Sequence, residues 1–204
     1  MELQNKPHKP DIAEALEKLN LDGLIRSLFD STDPNVRQYA AYLLGQAQNP
    51  RAIEPLVHAL ADVDKSVREQ TMFALSSLGK AAIGPLSEAM KEPKWETRYR
   101  AAEALVKIPY KKAVKPLIQG LKDNREHVRY MAAKGLLAFA DPGGMDPLII
   151  RLKDENHYVR MMVARSLGAI GGKKVRSALA TALESEHLLS FSDLCTLCSL
   201  SCGS

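Results

Sequence analysis

The sequence contains few cysteines and few aromatic residues. Of its 204 residues, 3 are cysteine and 5% are aromatic. All three cysteines lie in the last ten residues, so no disulfide can form within the rest of the chain. The shortage of aromatic side chains, together with frequent alanine and leucine, favours closely packed helices over a β-sandwich.

Long apolar segments are also missing. The chain contains no stretch of about 18 apolar residues, the length that would indicate a transmembrane helix. Its first residues form no apolar signal region. We therefore expect a cytoplasmic protein that does not insert into a membrane.

Charge is distributed unevenly along the chain. Residues 1–90 carry 9 Lys/Arg against 12 Asp/Glu, residues 91–180 carry 19 against 9, and residues 181–204 carry 0 against 3. The basic block at 91–180 is a candidate surface for nucleic acid or another polyanion. The sequence contains no dedicated nucleic-acid-binding motif, so this remains an alternative hypothesis.

The chain repeats itself with a period of 30 to 31 residues. An arginine follows a small or β-branched residue in five places, and a proline recurs in step with it. The pairs are Val36-Arg37, Val67-Arg68, Thr97-Arg98, Val128-Arg129 and Val159-Arg160, and the prolines are Pro55, Pro85, Pro116 and Pro147. Such a period predicts a solenoid, in which each unit buries its apolar face against its neighbours.

Each repeat has the pattern of two helices joined by a turn. In the fourth repeat, helix A is predicted to begin at Val114, with Pro116 in its first turn and apolar side chains at Leu117 and Leu121. A turn follows at residues 123–126. Helix B then carries apolar residues at helical spacing, namely Val128, Ala132, Ala133, Leu136 and Phe139. We number helix B from the residue before the arginine, which is position 0.

The two ends of the chain depart from the repeat. Asp11 and Glu14 resemble a capping box and predict an extra helix over residues 11–20. The pattern at Val175–Leu183 repeats helix A without a helix B after it. We expect an N-terminal segment with a capping helix at 1–23, a repeat domain at 24–183 and a Cys/Ser-rich tail at 184–204 that is poorly ordered.

The recurring proline, leucines, acid, arginine and alanine pair resemble the short HEAT repeat, in particular the HEAT-like type named after phycobilin lyases. The resemblance covers residues 24–183. It implies an all-α superhelix of about five two-helix repeats with capping helices, in which helix A lies on the convex side and helix B lines the concave side. It also implies a hydrogen-bonded ladder of acid and arginine, here Asp62/Arg68, Glu92/Arg98, Asp123/Arg129 and Asp154/Arg160. Ser31 stands opposite Arg37, which predicts a weaker rung in the first repeat.

Helix B carries interface-type residues on the side opposite its apolar stripe. Because the stripe occupies positions 0, 4, 5 and 8, a rotation of about 100° per residue places positions 2, 3, 6 and 10 on the opposite side. Tyr, Met and Arg are enriched at protein interfaces. The candidate partner-binding residues are Tyr39, Tyr42, Phe73, Tyr99, Arg100, Lys107, Tyr130, Met131, Lys134, Met161, Met162 and Arg165. The alternative is that position 3 packs against the next repeat.

The sequence gives little support for an enzymatic function. HEAT-like deoxyhypusine hydroxylases bind iron through His-Glu dipeptides, whereas the five histidines here precede Lys, Ala, Val, Tyr and Leu. No residue specifically marks bilin handling, so a phycobilin-lyase-like or other enzyme-associated subunit is a third hypothesis. The chain also lacks the phosphate-binding glycine loops and any spaced Ser/His/Asp set. We predict no catalytic residues and no cofactor.

The tail offers one candidate metal site. Cys195, Cys198 and Cys202, together with His187, have a spacing that resembles a zinc site. A single CxxC without a second ligand pair is weak support, and a tail without metal is favoured. The sequence therefore predicts a non-enzymatic HEAT-repeat scaffold or adaptor that binds a partner protein along helix B.

Overall fold

The computed structural model describes residues 20–184, and within this range every regular element is helical. The predicted all-α class is therefore confirmed. The α-helices are α1 (Leu21–Asp30), α2 (Pro34–Gln46), α3 (Ile53–Ala59), α4 (Lys65–Leu78), α5 (Ile83–Ala89), α6 (Trp95–Lys107), α7 (Val114–Gly120), α8 (Glu126–Phe139), α9 (Met145–Arg151), α10 (His157–Ile170) and α11 (Lys173–Glu184).

A and B helices alternate along the chain, as the repeat period predicts. The A helices are α1, α3, α5, α7 and α9, and the B helices are α2, α4, α6, α8 and α10. Four of the A helices are preceded by a short 3-10 turn that the sequence pattern did not indicate. These turns are Pro50–Ala52, Gly79–Ala82, Lys111–Ala113 and Pro142–Gly144. The helix α11 occupies the segment that repeats the helix A pattern at the end of the domain.

Polar side chains cap the N-termini of several helices. Asp33 caps α2 directly before Pro34, because its side chain accepts a hydrogen bond from the Asn35 backbone N–H at 2.9 Å. Asn156 caps α10 in the same way, accepting from the N–H groups of Tyr158 and Val159. These caps satisfy donors that have no partner inside the helix, so they fix where helix B starts.

The described residues fall into two compact units, unit 1 up to Leu78 and unit 2 from Gly79. In unit 1, α2 packs against α4, and each of these B helices packs against its own A helix. The two B helices approach closely at Gly45, where an added Cβ would lie 2.8 Å from the Cα and Cβ of Ala74. The small residue at this position is therefore required by the packing.

In unit 2, the B helices α6, α8 and α10 pack side by side, and α11 covers the last hairpin. The residues at position 0 of the last two repeats, Val128 and Val159, are completely buried, as are the alanines or valine at positions 4 and 5. Leu117 and Leu121 of the helix A stripe are buried as well. Most of the predicted apolar face lies in the core, but Val36 at position 0 of the first repeat is 44% exposed, and Thr97 and Phe139 are only half-buried.

Arginine–aspartate pairs link successive repeats. The Arg129 guanidinium donates from Nε and Nη2 to the two carboxylate oxygens of Asp154 at 2.8 and 2.9 Å. Arg37 binds Asp62 in the same two-pronged geometry, and Arg98 binds Asp123. Each pair spans 25 residues, so the carboxylate belongs to the repeat that follows the arginine. The ladder is thus a set of bonds between repeats.

Within a repeat, the same arginine contacts the acid only through its backbone. Arg129 Nη1 donates to the carbonyl oxygen of Asp123 at 2.9 Å, and Arg37 Nη1 donates to that of Ser31 at 3.0 Å. The prediction that Ser31 leaves Arg37 without a carboxylate is therefore wrong. A backbone carbonyl is available whatever the side chain, and Arg37 takes its carboxylate from Asp62 in the next repeat.

Several expectations concern residues outside 20–184. The capping box at Asp11 and Glu14, its helix and the Cys/Ser-rich tail all lie beyond the part of the chain that the structure describes. The boundaries at 23 and 183 remain predictions. Within the described part, no helix is both long enough and apolar enough to cross a bilayer.

Candidate protein-binding surface

Two of the candidate binding residues are core residues. Met131 and Met162, both at position 3, are only 3% and 4% exposed. The expectation that they belong to the binding face is wrong. The reason is that α8 and α10 each contact helices on three sides, which widens the buried arc of the helix beyond the four apolar positions. The packing alternative holds for position 3 in these two repeats.

In unit 1, the candidate side chains form an exposed aromatic patch. Tyr39 is 41% exposed and Phe73 63% exposed, while Tyr42 is half-buried. The rings of Tyr39 and Tyr42 stack with centroids 6.1 Å apart. Tyr42 and Phe73 both occupy position 6 of neighbouring B helices, so the tight packing of α2 on α4 places them on the same side. This patch consists of apolar surface that the unit leaves uncovered.

In unit 2, the candidate tyrosines line a groove. The groove has a volume of about 470 Å³ and crosses the first turns of α6, α8 and α10. Three tyrosines, one from each helix, form much of its wall together with three polar residues. The lining residues are Tyr99, Glu126, His127, Tyr130, Asn156 and Tyr158. We call this site the tyrosine groove.

Contacts inside and beside the tyrosine groove orient its side chains. The Arg100 guanidinium lies 5.1 Å from the Tyr99 ring centroid and forms a salt bridge with Glu103 at 2.9 Å. Burial raises the pKa of Tyr99, and the Glu103 carboxylate raises it further. His127 packs on the Trp95 ring at 5.1 Å, and its Nδ1 lies 3.3 Å from the Glu126 carboxylate. The phenol of Tyr99 therefore stays neutral at physiological pH and can serve as a hydrogen-bond donor.

Sequence reasoning missed four of these six lining residues, namely Glu126, His127, Asn156 and Tyr158. His127 and Tyr158 stand at position −1, and Glu126 stands one residue earlier. The residues at positions −1 and 2 are three apart and lie on the same side of a helix. Extending the exposed face backwards past position 0 would have found them, since Tyr158 is an aromatic residue that is 65% exposed.

The remaining candidates lie farther along the B helices. Lys134 and Arg165, at position 6 of α8 and α10, are exposed, as is Lys107 at position 10 of α6. Met161, at position 2 of α10, is half-buried like Tyr99 and Tyr130. In unit 2 the B helices thus carry aromatic or apolar residues at position 2, and one turn later, at position 6, α8 and α10 carry cations while α6 carries Glu103.

A second groove in unit 2 lies among the A helices. It has a volume of about 610 Å³, and no acidic residue lines it. Its lining residues are Lys80, Ile83, Gly84, Ser87, Lys112, Lys115 and Pro116. None of these three lysines forms a salt bridge with another residue of 20–184, whereas Lys111 lies 3.9 Å from Asp141. We call this site the lysine groove, and two of its three lysines, Lys112 and Lys115, belong to the basic block at residues 91–180.

The described residues bring together no cluster suited to a metal ion. Among residues 20–184, no three His, Cys, Asp or Glu side chains converge on one point. The candidate zinc ligands of the tail and His187 lie outside the described residues. The charged clusters of the described part are the arginine–aspartate rungs, which recur from repeat to repeat as a packing device does.

Solved structures with similar folds include designed armadillo repeat proteins. A designed armadillo repeat protein in complex with the peptide (KR)4 superposes with a TM-score of 0.55 at 19% identity, over 89% of this chain and 98% of that one. The YibA protein of Escherichia coli gives 0.56 at 22% identity, over 98% and 72% of the two chains. Human deoxyhypusine hydroxylase in complex with glycerol gives 0.50 at 21% identity, over 89% and 83%. At these identities the likeness concerns the fold alone.

A family model described as HEAT repeats matches the sequence in four overlapping segments. The segments are 21–105, 56–125, 83–150 and 114–188. They join into one continuous match over most of the chain and confirm the resemblance seen in the repeat pattern. The narrower likeness to the phycobilin-lyase type remains a prediction. No curated protein matches the sequence. The chain is an α-solenoid protein and belongs to the HEAT-repeat family.

Proposed function

We propose that the protein is a non-enzymatic adaptor that binds a partner protein along the exposed side of its B helices. The tyrosine groove is the main support for this proposal. Tyrosines from three consecutive B helices form its wall, and such a cleft is suited to an extended segment that crosses the three helices. Aromatic anchors supply large contact area at low cost in side-chain entropy.

The proposed binding residues follow from what the B helices leave exposed. In unit 1 they are Tyr39, Tyr42 and Phe73, and in unit 2 they are Tyr99, Arg100, Tyr130, Lys134, Met161 and Arg165, together with Tyr158 and His127. These positions vary from one repeat to the next, whereas the rungs and small core residues recur. Variation at exposed positions of a constant scaffold is how repeat proteins acquire different ligands.

A double variant, Tyr99→Ala with Tyr130→Ala, tests the groove. The matched control is Tyr110→Ala, which removes a tyrosine that is 46% exposed in the turn before α7, outside the groove. The three proteins, each tagged, are used for affinity capture from cells with quantitative mass spectrometry. We expect a defined set of proteins that the wild type and the Tyr110 variant retain and the double variant loses.

The capture is followed by binding measurements with the purified candidate. Loss of two interface tyrosines should weaken binding at least about tenfold, since each hot-spot aromatic contributes roughly 2 kcal/mol or more. Equal binding by all three proteins would show that the tyrosine groove is not the site. Circular dichroism spectra and thermal midpoints of the variants establish that the difference does not arise from unfolding.

A second candidate function is binding of nucleic acid or another polyanion by residues 91–180 and the adjoining turns. The lysine groove favours it, because Lys80, Lys112 and Lys115 line one cleft without an acidic neighbour. The variant Lys112→Glu with Lys115→Glu should then abolish binding to single-stranded DNA. Wild-type affinity should also fall steeply with salt concentration, with a slope that reports the number of neutralised phosphates.

A further inference from the structure

Two cations lie side by side on the B helices of unit 2. Lys134 and Arg165 occupy position 6 of α8 and α10. The buried hydroxyl of Ser166 donates a hydrogen bond to the Ala133 carbonyl oxygen at 2.8 Å, which fixes the point where the two helices meet. Each cation is the immediate neighbour in sequence of one of these bonded residues. Both therefore flank the same helix contact on its exposed side.

These cations have no acidic partner within residues 20–184, although nearby acids are in use. The Glu103 carboxylate, at position 6 of α6, is bound to Arg100. Glu155 is bound to Arg129 at 3.0 Å. The excess of positive charge is general in this unit, since residues 79–184 contain 20 Lys/Arg against 11 Asp/Glu. The local and the overall field both favour a ligand with negative charge.

The cation pair adjoins the tyrosine groove. Tyr130 and Lys134 are four residues apart on α8, so their side chains lie one above the other on one side of the helix. Met161 and Arg165 stand in the same relation on α10. The acidic residue of the groove lining, Glu126, has His127 beside it at 3.3 Å. A ligand in the groove would therefore meet aromatic surface and, one helical turn away, two free cations.

Resting on the proposed function, we propose that the ligand of the tyrosine groove is an acidic peptide segment. An aromatic or large aliphatic side chain of the segment enters the groove, and carboxylates on its flank bind Lys134 and Arg165. A basic segment would place its cations against these two residues and against the net charge of the unit. This assigns a chemical class of partner and two residues that select it.

Fluorescence anisotropy with labelled synthetic peptides tests the proposal. The probe is a short peptide of alternating Glu-Asp pairs and phenylalanines. One counterpart replaces every acidic residue with lysine, and a second replaces every phenylalanine with serine. We expect the acidic phenylalanine peptide to bind best, and the variant Lys134→Glu with Arg165→Glu to weaken its binding about tenfold or more.

The control variant is Lys173→Glu with Arg176→Glu. It changes the net charge by the same amount in the same unit, but in the first turn of α11, outside both grooves. We expect it to change the affinity for the acidic peptide less than about twofold, as a screened distant charge should. All four substituted residues are exposed, and thermal midpoints of both variants verify that the fold is kept.

The outcomes separate this inference from the proposed function. Equal or tighter binding of the lysine peptide, no binding of the acidic peptide, or a larger effect of the control variant overturns the acidic ligand. So does tighter binding of single-stranded DNA that depends on Lys134 and Arg165. If the Tyr99→Ala, Tyr130→Ala variant loses the acidic peptide but the charge reversal does not, the groove stands and its charge preference falls. If only the charge reversal has an effect, the tyrosine groove is not the binding site.

Discussion

The two units use the same hairpin with opposite surface arrangements. At position 2 of helix B, unit 1 has polar residues and unit 2 has aromatic or apolar ones. At position 6 the order is reversed. Position 2 holds Gln38 and Glu69 in unit 1, and Tyr99, Tyr130 and Met161 in unit 2, whereas position 6 holds Tyr42 and Phe73 in unit 1, and Glu103, Lys134 and Arg165 in unit 2. The scaffold therefore accepts polar, aromatic and apolar side chains at these two positions.

The two units also differ in the sign of their net charge. Residues 20–78 carry 5 Lys/Arg against 7 Asp/Glu, while residues 79–184 carry 20 against 11. The aromatic patch of unit 1 lies in mildly acidic surroundings, and the tyrosine groove of unit 2 lies in basic ones. If both surfaces bind proteins, we expect them to take segments of different charge. The predictions below test how far the shared scaffold of the two units is equivalent.

The largest effect is expected for the most buried rung. Asp154, in unit 2, is 1% exposed at its side chain and accepts bonds from Arg129 and from the Asn156 N–H. Asp154→Ala leaves the buried Arg129 guanidinium with only the exposed Glu155 carboxylate and the Asp123 carbonyl oxygen, and should lower the free energy of unfolding by about 3 kcal/mol. Asp62→Ala in unit 1, where both side chains of the rung are 11% exposed, should cost about 2 kcal/mol.

Urea unfolding of both variants measures this difference. Asp22→Ala is the control, because the Asp22–Arg51 pair is 59% and 68% exposed and should contribute less than about 1 kcal/mol. Equal losses at Asp154 and Asp62 would mean that burial does not distinguish the rungs of the two units.

The sequence predicted much of this scaffold because its signals are local. Helix positions, the Asp33 cap and the burial of Val128 follow from periodicity and capping within one repeat. The partner of each rung arginine depends instead on how one repeat stacks on the next, so Ser31 was wrongly taken to deprive Arg37 of a carboxylate. The burial of Met131 has the same origin, because neighbours on three sides of α8 bury positions that a single amphipathic helix would expose.

The candidate site was predicted only in part, again for a reason of geometry. Tyr99 and Tyr130 were found by their position opposite the core stripe. His127 and Tyr158 were missed because they precede the first core position, where the loop becomes helix B. A groove that crosses several helices gathers residues from different positions of different repeats, and one helical projection cannot show this.

The next largest effect concerns the close approach of the B helices. In unit 1, a Cβ at Gly45 would lie 2.8 Å from backbone and Cβ atoms of Ala74, which cannot rotate away. Gly45→Ala should therefore reduce the free energy of unfolding by about 2–3 kcal/mol. In unit 2, a Cβ at Gly135 would meet side-chain methyls of Val106 and Leu117 at 2.8 Å, and these can shift. Gly135→Ala should cost about 1 kcal/mol.

Thermal and urea unfolding of the two glycine variants give the comparison. Gly84→Ala is the control, because no atom lies within 4 Å of its Cβ position and the residue is inside α5. It should be neutral or raise the free energy of unfolding by about 0.5–1 kcal/mol, since alanine favours helix. A greater loss at Gly135 than at Gly45 would place the tighter helix contact in unit 2.

A smaller difference in stability is expected when two buried hydroxyl groups are removed, one in each unit. Ser166, in unit 2, donates to the carbonyl oxygens of both Ala133 and Met162 at 2.8 Å. Thr71, in unit 1, is fully buried, and its hydroxyl has no hydrogen-bond partner among the described residues. Ser166→Ala should lower the free energy of unfolding by about 1 kcal/mol, whereas Thr71→Val should raise it by up to about 1 kcal/mol. Chemical denaturation should therefore give shifts of opposite sign, and a loss at Thr71→Val would mean that its hydroxyl is satisfied in solution.

The smallest change in stability is expected from the acid dependence of the two partly buried rungs, Arg37–Asp62 and Arg98–Asp123. The hydrogen bond from Arg37 holds the pKa of Asp62 below its ordinary value, against the opposing effect of burial. At Asp123 burial raises the pKa, but bonds from Arg98 and the Arg125 N–H outweigh it, so that pKa is lowered too. A carboxyl group with a lowered pKa in the folded state contributes stability at neutral pH and loses it as pH falls below about 4.

The variants Asp62→Asn and Asp123→Asn should each be less stable than the wild type at pH 7, and their stability should approach that of the wild type in acid. Free energies of unfolding, measured by urea titration across this pH range, should converge by less than about 1 kcal/mol per rung, because the pairs are partly screened by solvent. A gap that stays constant with pH would show that neither carboxylate titrates with folding.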